Sequence, residues 1–195
     1  KRSKINLDLM RQNTQRMGDK YKLNTYTLIN ETDFDFSKLS LGLSTTDDKD
    51  LSKAKNIKHT DVFTQWQGLV IDNEISLGAR VIDHDKFSSH ITYNANWARD
   101  INSSTRLNAS YGSATNLPSH FQNRKNLEHK ETSLKPERSK SFEFGVQNKS
   151  KIGLAEFKVY KSKVEDSFDY HYLNYVDYDG YYFNNKTVDI TGAEL

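Results

Sequence analysis

Residues 132–160, "TSLKPERSKSFEFGVQNKSKIGLAEFKVY", decide how this chain is read. A proline, Pro136, stands between Lys135 and Glu137. Six residues later stands an alternating row, Phe142, Phe144 and Val146 against Glu143, Gly145 and Gln147. A period of two is the mark of a strand with unlike faces. Proline has no N–H for a ladder and a fixed φ, so it suits the point where a chain enters a strand and not the strand's middle.

The same period runs along most of the chain. Ile5, Leu7 and Leu9 alternate with polar neighbours, as do Leu39, Leu41 and Leu43. So do Ile75, Leu77, Ala79 and Val81, then Ile91, Tyr93, Ala95 and Trp97, then Leu107, Ala109 and Tyr111. The pattern predicts strands near 4–12, 20–30, 36–46, 59–70, 74–84, 89–99, 104–113, 139–147, 152–166 and 182–195, and no helix. Both prolines, Pro118 and Pro136, fall between strands. The connections "ETDFD", "IDN", "DINS" and "NKSK" are short. Those at 13–19, 47–58, 114–138 and 167–181 are long, with "DKFS" at 85–88 the exception. Short and long take turns, so the long ones leave one end of an all-β, antiparallel up-and-down meander of about ten strands.

Composition narrows the setting. The chain has 195 residues, 35% of them hydrophobic, and its mean hydropathy is −0.84. It has no apolar run long enough for a membrane helix. Its 11 Tyr and 10 Phe are too many for a disordered chain. Basic and acidic residues number 28 and 26 without a basic block, which argues against a nucleic-acid partner. With no cysteine, disulfides and thiolate metal sites are excluded.

Alternating strands suit a soluble β-sandwich or a membrane barrel. Three features favour the barrel. Glu74, Arg80, Arg106, Glu143, Glu156 and Lys158 put charge on the polar row in mid-strand, which a wet lumen accepts. Trp66, Trp97 and Tyr111 stand near the ends of the apolar row, where an interfacial aromatic belt would lie. The strands are long enough to cross a bilayer at a tilt.

Together, "TRLNASYGSATNLPSHF" (105–121), "LKPERSKSFEFGV" (134–146), "KVYKSKVEDSFDY" (158–170) and "YYFNNKTVDITGAEL" (181–195) resemble the C-terminal half of a TonB-dependent outer-membrane receptor. Tyr111, Gly112 and Pro118 carry the first element. Leu134, Lys135, Pro136, Glu137, Ser139, Glu143 and Gly145 carry the second. Asn184, Gly192, Glu194 and Leu195 carry the last. Residues 78–112 are similar to the vitamin B12 (cobalamin) receptor subgroup around Asp83, His84, Phe87, Ser89 and His90. Asn116-Leu117 and Ser133 depart from the family pattern.

The resemblance implies that residues 1–195 form one partial barrel domain within a wall of about 22 strands. A plug that contacts TonB, and the closing strands, would lie outside this chain. It implies a bacterial outer-membrane location, lipid around the barrel, and active uptake of a large scarce nutrient. Cobalamin is the first candidate; a siderophore, haem or zinc is the alternative. A soluble sandwich binding module is the reading from another class.

The segment "DYHYLNYVDYDGYYFNN" (169–185) concentrates tyrosine, a residue of large contact area and few rotors. Tyr172, Tyr175 and Tyr178, with Asn116 at the start of the 114–138 connection, are the expected ligand-binding residues. Tyr181 and Tyr182 are expected in an interfacial girdle. "DHDKFSSH" (83–90) offers imidazole and carboxylate, yet turn chemistry accounts for it equally, and no metal site is assigned. Asp47, Asp48 and Asp50 read as solvated loop acids. No catalytic constellation stands at a workable spacing, so the sequence predicts neither an enzyme nor a cofactor.

Overall fold

The computed structural model describes residues 2–16, 18–52, 55–129, 133–174, 176 and 179–195. Ten strands follow in chain order: β1 (Arg2–Arg16), β2 (Asp19–Asp33), β3 (Ser37–Asp50), β4 (Lys55–Val70), β5 (Asn73–His84), β6 (His90–Asp100), β7 (Thr105–Asn116), β8 (Glu137–Ser150), β9 (Gly153–Asn174) and β10 (Asp179–Glu194). One helix, α1 (His120–Glu128), lies between β7 and β8. Each strand pairs antiparallel with the next, so the sheet order is the chain order and β1 and β10 are its edges.

The register fixes the faces. Leu7 stands opposite Leu28, which stands opposite Leu43, then Val62 and Val81. Leu77 stands opposite Ala95 and Ala95 opposite Tyr111, and Tyr111 leads to Phe142. Phe144 continues to Val159. One face is thus apolar from the first strand to the ninth. Its side chains are open to the surroundings, Leu7 at 65% and Ile91 at 67%.

The opposite face carries charge in matched pairs. Lys38 meets Glu31 at 2.6 Å and Arg80 meets Asp61 at 3.3 Å. Arg106 grips Glu74 with two nitrogens, at 3.0 and 2.6 Å. Lys158 reaches Glu156 at 3.3 Å. Arg80, Arg106 and Glu143 therefore share the face opposite Leu77, Leu107 and Phe144.

This is the inverse of a soluble sandwich, whose apolar face would be the covered one. Among the described residues, Leu134 alone of the Leu, Ile, Val, Phe and Met side chains is buried, at 3% exposure. The buried side chains are instead polar, among them Asn24, Ser44, Thr46, Asp61 and Asn126. Such a wall needs lipid on one side and water or protein on the other.

Two glycines let the polar wall pack. Phe63 stands opposite Gly42, and its ring lies where a Cβ on Gly42 would be. Arg80 rests 5.3 Å from the centre of that ring. Tyr160 covers Gly192 in the same way.

The strands run 11 to 22 residues, most of them longer than the alternation predicts, though β6 has the expected length. Residues expected in loops are paired strand: Asn13 with Lys22, Asp47 with Lys58, and His171 with Tyr181. These hairpin tips project past the apolar band, where both faces meet water, so nothing selects alternation there. Of the long connections, only 114–138 is one, and it contains the unexpected α1. That helix has only Phe121 and Leu127 as apolar residues, six apart and so off a common face, and hydrophobic period could not reveal it. Its one local signal is Ser119-x-x-Gln122, a capping box.

The sheet is strongly curved. Eight strand spacings of about 4.8 Å would put flat β2 and β10 about 38 Å apart. Yet neighbouring residues of α1, a helix about 13 Å long, touch both: Arg124 bonds Asp19 of β2, and Lys125 bonds Asp179 of β10.

Candidate functional site

All the longer features gather at the end of the sheet where α1 lies. Ser119 caps the helix: its Oγ accepts the Gln122 N–H at 3.3 Å, and Gln122 Oε1 accepts the Ser119 N–H at 2.8 Å. Asn126, buried, acts as one residue of an extra strand. Its Oδ1 accepts the Tyr182 N–H and its Nδ2 donates to the Tyr182 carbonyl, both at 2.8 Å. That covers part of the open β10 edge. On the other side, His120 Nε2 donates to the Asp48 carbonyl at 3.2 Å, and its ring stacks 6.3 Å from Tyr21.

Asp179 receives both Lys125 Nζ, at 3.3 Å, and His129 Nε2, at 3.0 Å. Partial burial pushes the Asp179 carboxyl up. The bonds from His129 and Lys125, with the Gly180 N–H, outweigh burial and hold it below the usual carboxylate range.

The segment before β8 is pinned from two strands. Leu134 and Pro136 are buried. Asn184 of β10 accepts the Lys135 N–H at 2.8 Å and donates to the Lys135 and Asp166 carbonyls at 2.9 and 2.6 Å. Glu137 accepts the Asn116 amide at 2.6 Å and the Phe168 N–H at 2.5 Å. Pro136 thus stands where the chain turns into β8 from a held position.

Of the expected ligand residues, Tyr172 and Asn116 are described; Tyr175 and Tyr178 lie outside the described residues. Tyr172 packs edge-on to Tyr170 at 4.8 Å, and Tyr170 packs edge-on to Tyr182 at 4.8 Å. Tyr182 meets Phe121 of α1 at 6.3 Å. Tyr181 lies between His171, at 5.2 Å, and His129, at 6.3 Å. Tyr181 and Tyr182 therefore pack on the connection at the open end, not in a girdle along the apolar band. Asn116 joins this wall through Glu137 and Phe168, four residues before Tyr172. The sequence reading missed Lys125, Asn126 and Asp179, which sit in or beside a helix it did not contain.

Next to α1 is a groove of about 680 Å³ lined by Asn56, Phe87, His120, Asn123, Asn126 and Leu127, among others. The 83–90 segment forms its rim as a self-bonded turn. His84 Nδ1 accepts the Lys86 and Phe87 N–H groups at 2.9 and 3.2 Å, and Ser89 Oγ donates to Asp83 at 2.7 Å. Burial drives the His84 imidazole pKa down. With Nδ1 already accepting, its 3.5 Å approach to Asp85 is not an ion pair. His59 stacks on His84 at 5.9 Å. Among the described residues no three His, Asp or Glu side chains converge as a metal site. Asp47, Asp48 and Asp50 sit on β3, not in a loop.

A curved antiparallel wall with an apolar exterior, a charged opposite face and its one long connection, carrying α1, at one end defines a segment of a transmembrane β-barrel. The family model "TonB dependent receptor-like, beta-barrel" matches residues 3–195. The chain belongs to that family, whose barrels are outer-membrane proteins. No curated protein matches it. Among solved structures it is similar to the siderophore receptor PirA from Pseudomonas aeruginosa, with TM-score 0.73 and 14% identity over 98% of this chain and 42% of that one. It is also similar to the copper transporter OprC, with TM-score 0.72 and 15% identity over 90% and 34%. A ferric enterobactin receptor (PfeA) of Pseudomonas aeruginosa gives TM-score 0.69 and 14% identity over 89% and 33%. The chain spans less than half the length of each of these receptors.

Proposed function

We propose that this chain is the wall and outer mouth of a receptor that imports a large, ring-bearing nutrient, with cobalamin the first candidate. The aromatic and amide wall at the mouth carries the reading. Tyr170, Tyr172 and Tyr182 present ring faces and edges, and Asn56 and Asn123 line the adjoining groove. Large flat ligands are held by such surfaces, with a few polar groups to orient them. The cobalamin preference rests on the resemblance at residues 83–90. A ferric siderophore is the second reading, supported by the fold shared with PirA and PfeA. In either case energy would arrive through TonB and a plug outside these residues.

The test uses the full-length receptor and measures binding of cyanocobalamin, ferric enterobactin and Cu²⁺ side by side. Cobalamin binding that falls in a Tyr172→Ala, Tyr175→Ala, Tyr178→Ala variant, and persists in His84→Ala plus His90→Ala, supports the first reading. Binding of enterobactin alone replaces it with the second. Loss through the histidine pair, with the tyrosines neutral, points to a metal-dependent ligand and overturns both.

A further inference from the structure

The lipid-facing row changes character abruptly at the outer end of β8 and β9. Along β8 it reads Val146, Phe144, Phe142, Lys140, Arg138; along β9 it reads Phe157, Val159, Lys161, Lys163, Glu165. The register sets Phe142 opposite Lys161, Lys140 opposite Lys163, and Arg138 opposite Glu165. All four cations are exposed and point away from the lumen. Like charges directly opposite across a strand pair are unfavourable unless something answers them. Glu165 answers Lys163 at 2.8 Å, and Asp189 stands opposite Lys163 on β10. Two carboxylates serve four cations. Among the described residues no carboxylate lies within salt-bridge distance of Arg138, Lys140 or Lys161.

Lys161 is level with Tyr111 and Phe142, which stand opposite each other at the edge of the apolar band, and Lys140, Lys163 and Arg138 lie beyond them. Tyrosine at that level marks the headgroup boundary. A lysine is costly at the bilayer midplane and tolerated at the boundary, where it meets lipid phosphate. We propose that Arg138, Lys140, Lys161 and Lys163 form an outward-facing site for the phosphates of an outer-leaflet lipid headgroup, which seats this part of the wall at a fixed depth. The charge balance, the opposed lysines and the position at and just above the aromatic row carry the assignment. It rests on this row facing lipid, not on which nutrient is carried.

The experiment uses the folded full-length receptor in detergent and counts retained lipid by native mass spectrometry. The probes are bis-phosphorylated lipid A and the same lipid with its phosphates removed. The wild type should retain the phosphorylated lipid and not the other. Lys140→Gln, Lys161→Gln and Lys163→Gln together should weaken retention by at least about tenfold. Lys149→Gln with Lys151→Gln, at the opposite end of the strands, should leave it unchanged. Heat-dependent mobility on a gel reports that each variant is folded. If the triple variant does not fold, Lys161→Gln alone carries the test, with about a threefold loss expected. Equal retention of the two lipids by the wild type, or undiminished retention by the folded lysine variant, overturns the assignment.

Discussion

Asn184 bonds both backbone groups of Lys135, taking its N–H at 2.8 Å and giving to its carbonyl at 2.9 Å. One side chain of β10 thereby holds the segment that delivers Pro136 to β8, two strands away. Asn184→Ala should loosen that segment by about 1–3 kcal/mol, the usual cost of leaving such groups unpaired. Hydrogen exchange at the Lys135 amide should quicken while exchange in the middle of β8 stays slow. Unchanged protection at Lys135 would show that Leu134 and Pro136 hold the segment alone.

Phe63 lies over Gly42 on the lumenal face. Gly42→Val puts carbon where the ring sits and should destabilise the wall by about 1–3 kcal/mol. The check is the urea midpoint of the full-length barrel in detergent. A midpoint equal to the wild type would mean the ring moves aside freely.

The turn between β4 and β5 has positive φ at both Ile71 (47°) and Asp72 (60°). A β-branched residue is strained there, and Ile71 is exposed, so it has little packing to lose. Ile71→Gly should stabilise by roughly 0.5–1 kcal/mol, because relief of the left-handed strain slightly exceeds the entropy glycine adds to the unfolded chain. A lowered urea midpoint would contradict this.

The α1–β10 contact should weaken in acid. Asp179 has its folded pKa depressed, so the stability it contributes is present above its unfolded value, about 3.9. It is lost as pH falls through the lower folded value. Spin labels at Leu127 and Phe183 of the full-length receptor should hold one narrow distance near neutral pH and broaden below the ordinary carboxylate range. Asp179→Asn should be broad at every pH. A wild-type distance that ignores acid would show that Asn126 and Phe121 dock the helix without the carboxylate.

The strands crossing the membrane were legible because one face must be apolar and the other must not. Leu77, Leu107 and Phe144 stand out against Arg80, Arg106 and Glu143 for that reason, and a register slip of one residue would have exchanged them. The hairpin tips were illegible because a strand wet on both faces carries no such contrast; His171 and Tyr181 pair as strand while reading as loop. α1 escaped for the same cause, leaving only the Ser119–Gln122 cap to betray it. The site was half legible. Tyrosine density pointed to Tyr172, which packs on Tyr170 and through it on Tyr182, but Asn126 and Phe121, which meet Tyr182, are brought there by a helix the pattern hid.

The odd-numbered row of β5 faces lipid and the even-numbered row faces the lumen. Single cysteines at Leu77 and Ser76 of the full-length receptor, labelled in the outer membrane, test it most directly. Leu77 stands opposite Trp66 and Ala95, and Ser76 opposite Gln67 and Asn96. Leu77→Cys should react with a membrane-dissolved maleimide and resist a sulfonated, water-soluble one, and Ser76→Cys should do the reverse. Equal labelling of the two positions, or the opposite preference, would contradict a barrel wall built as described.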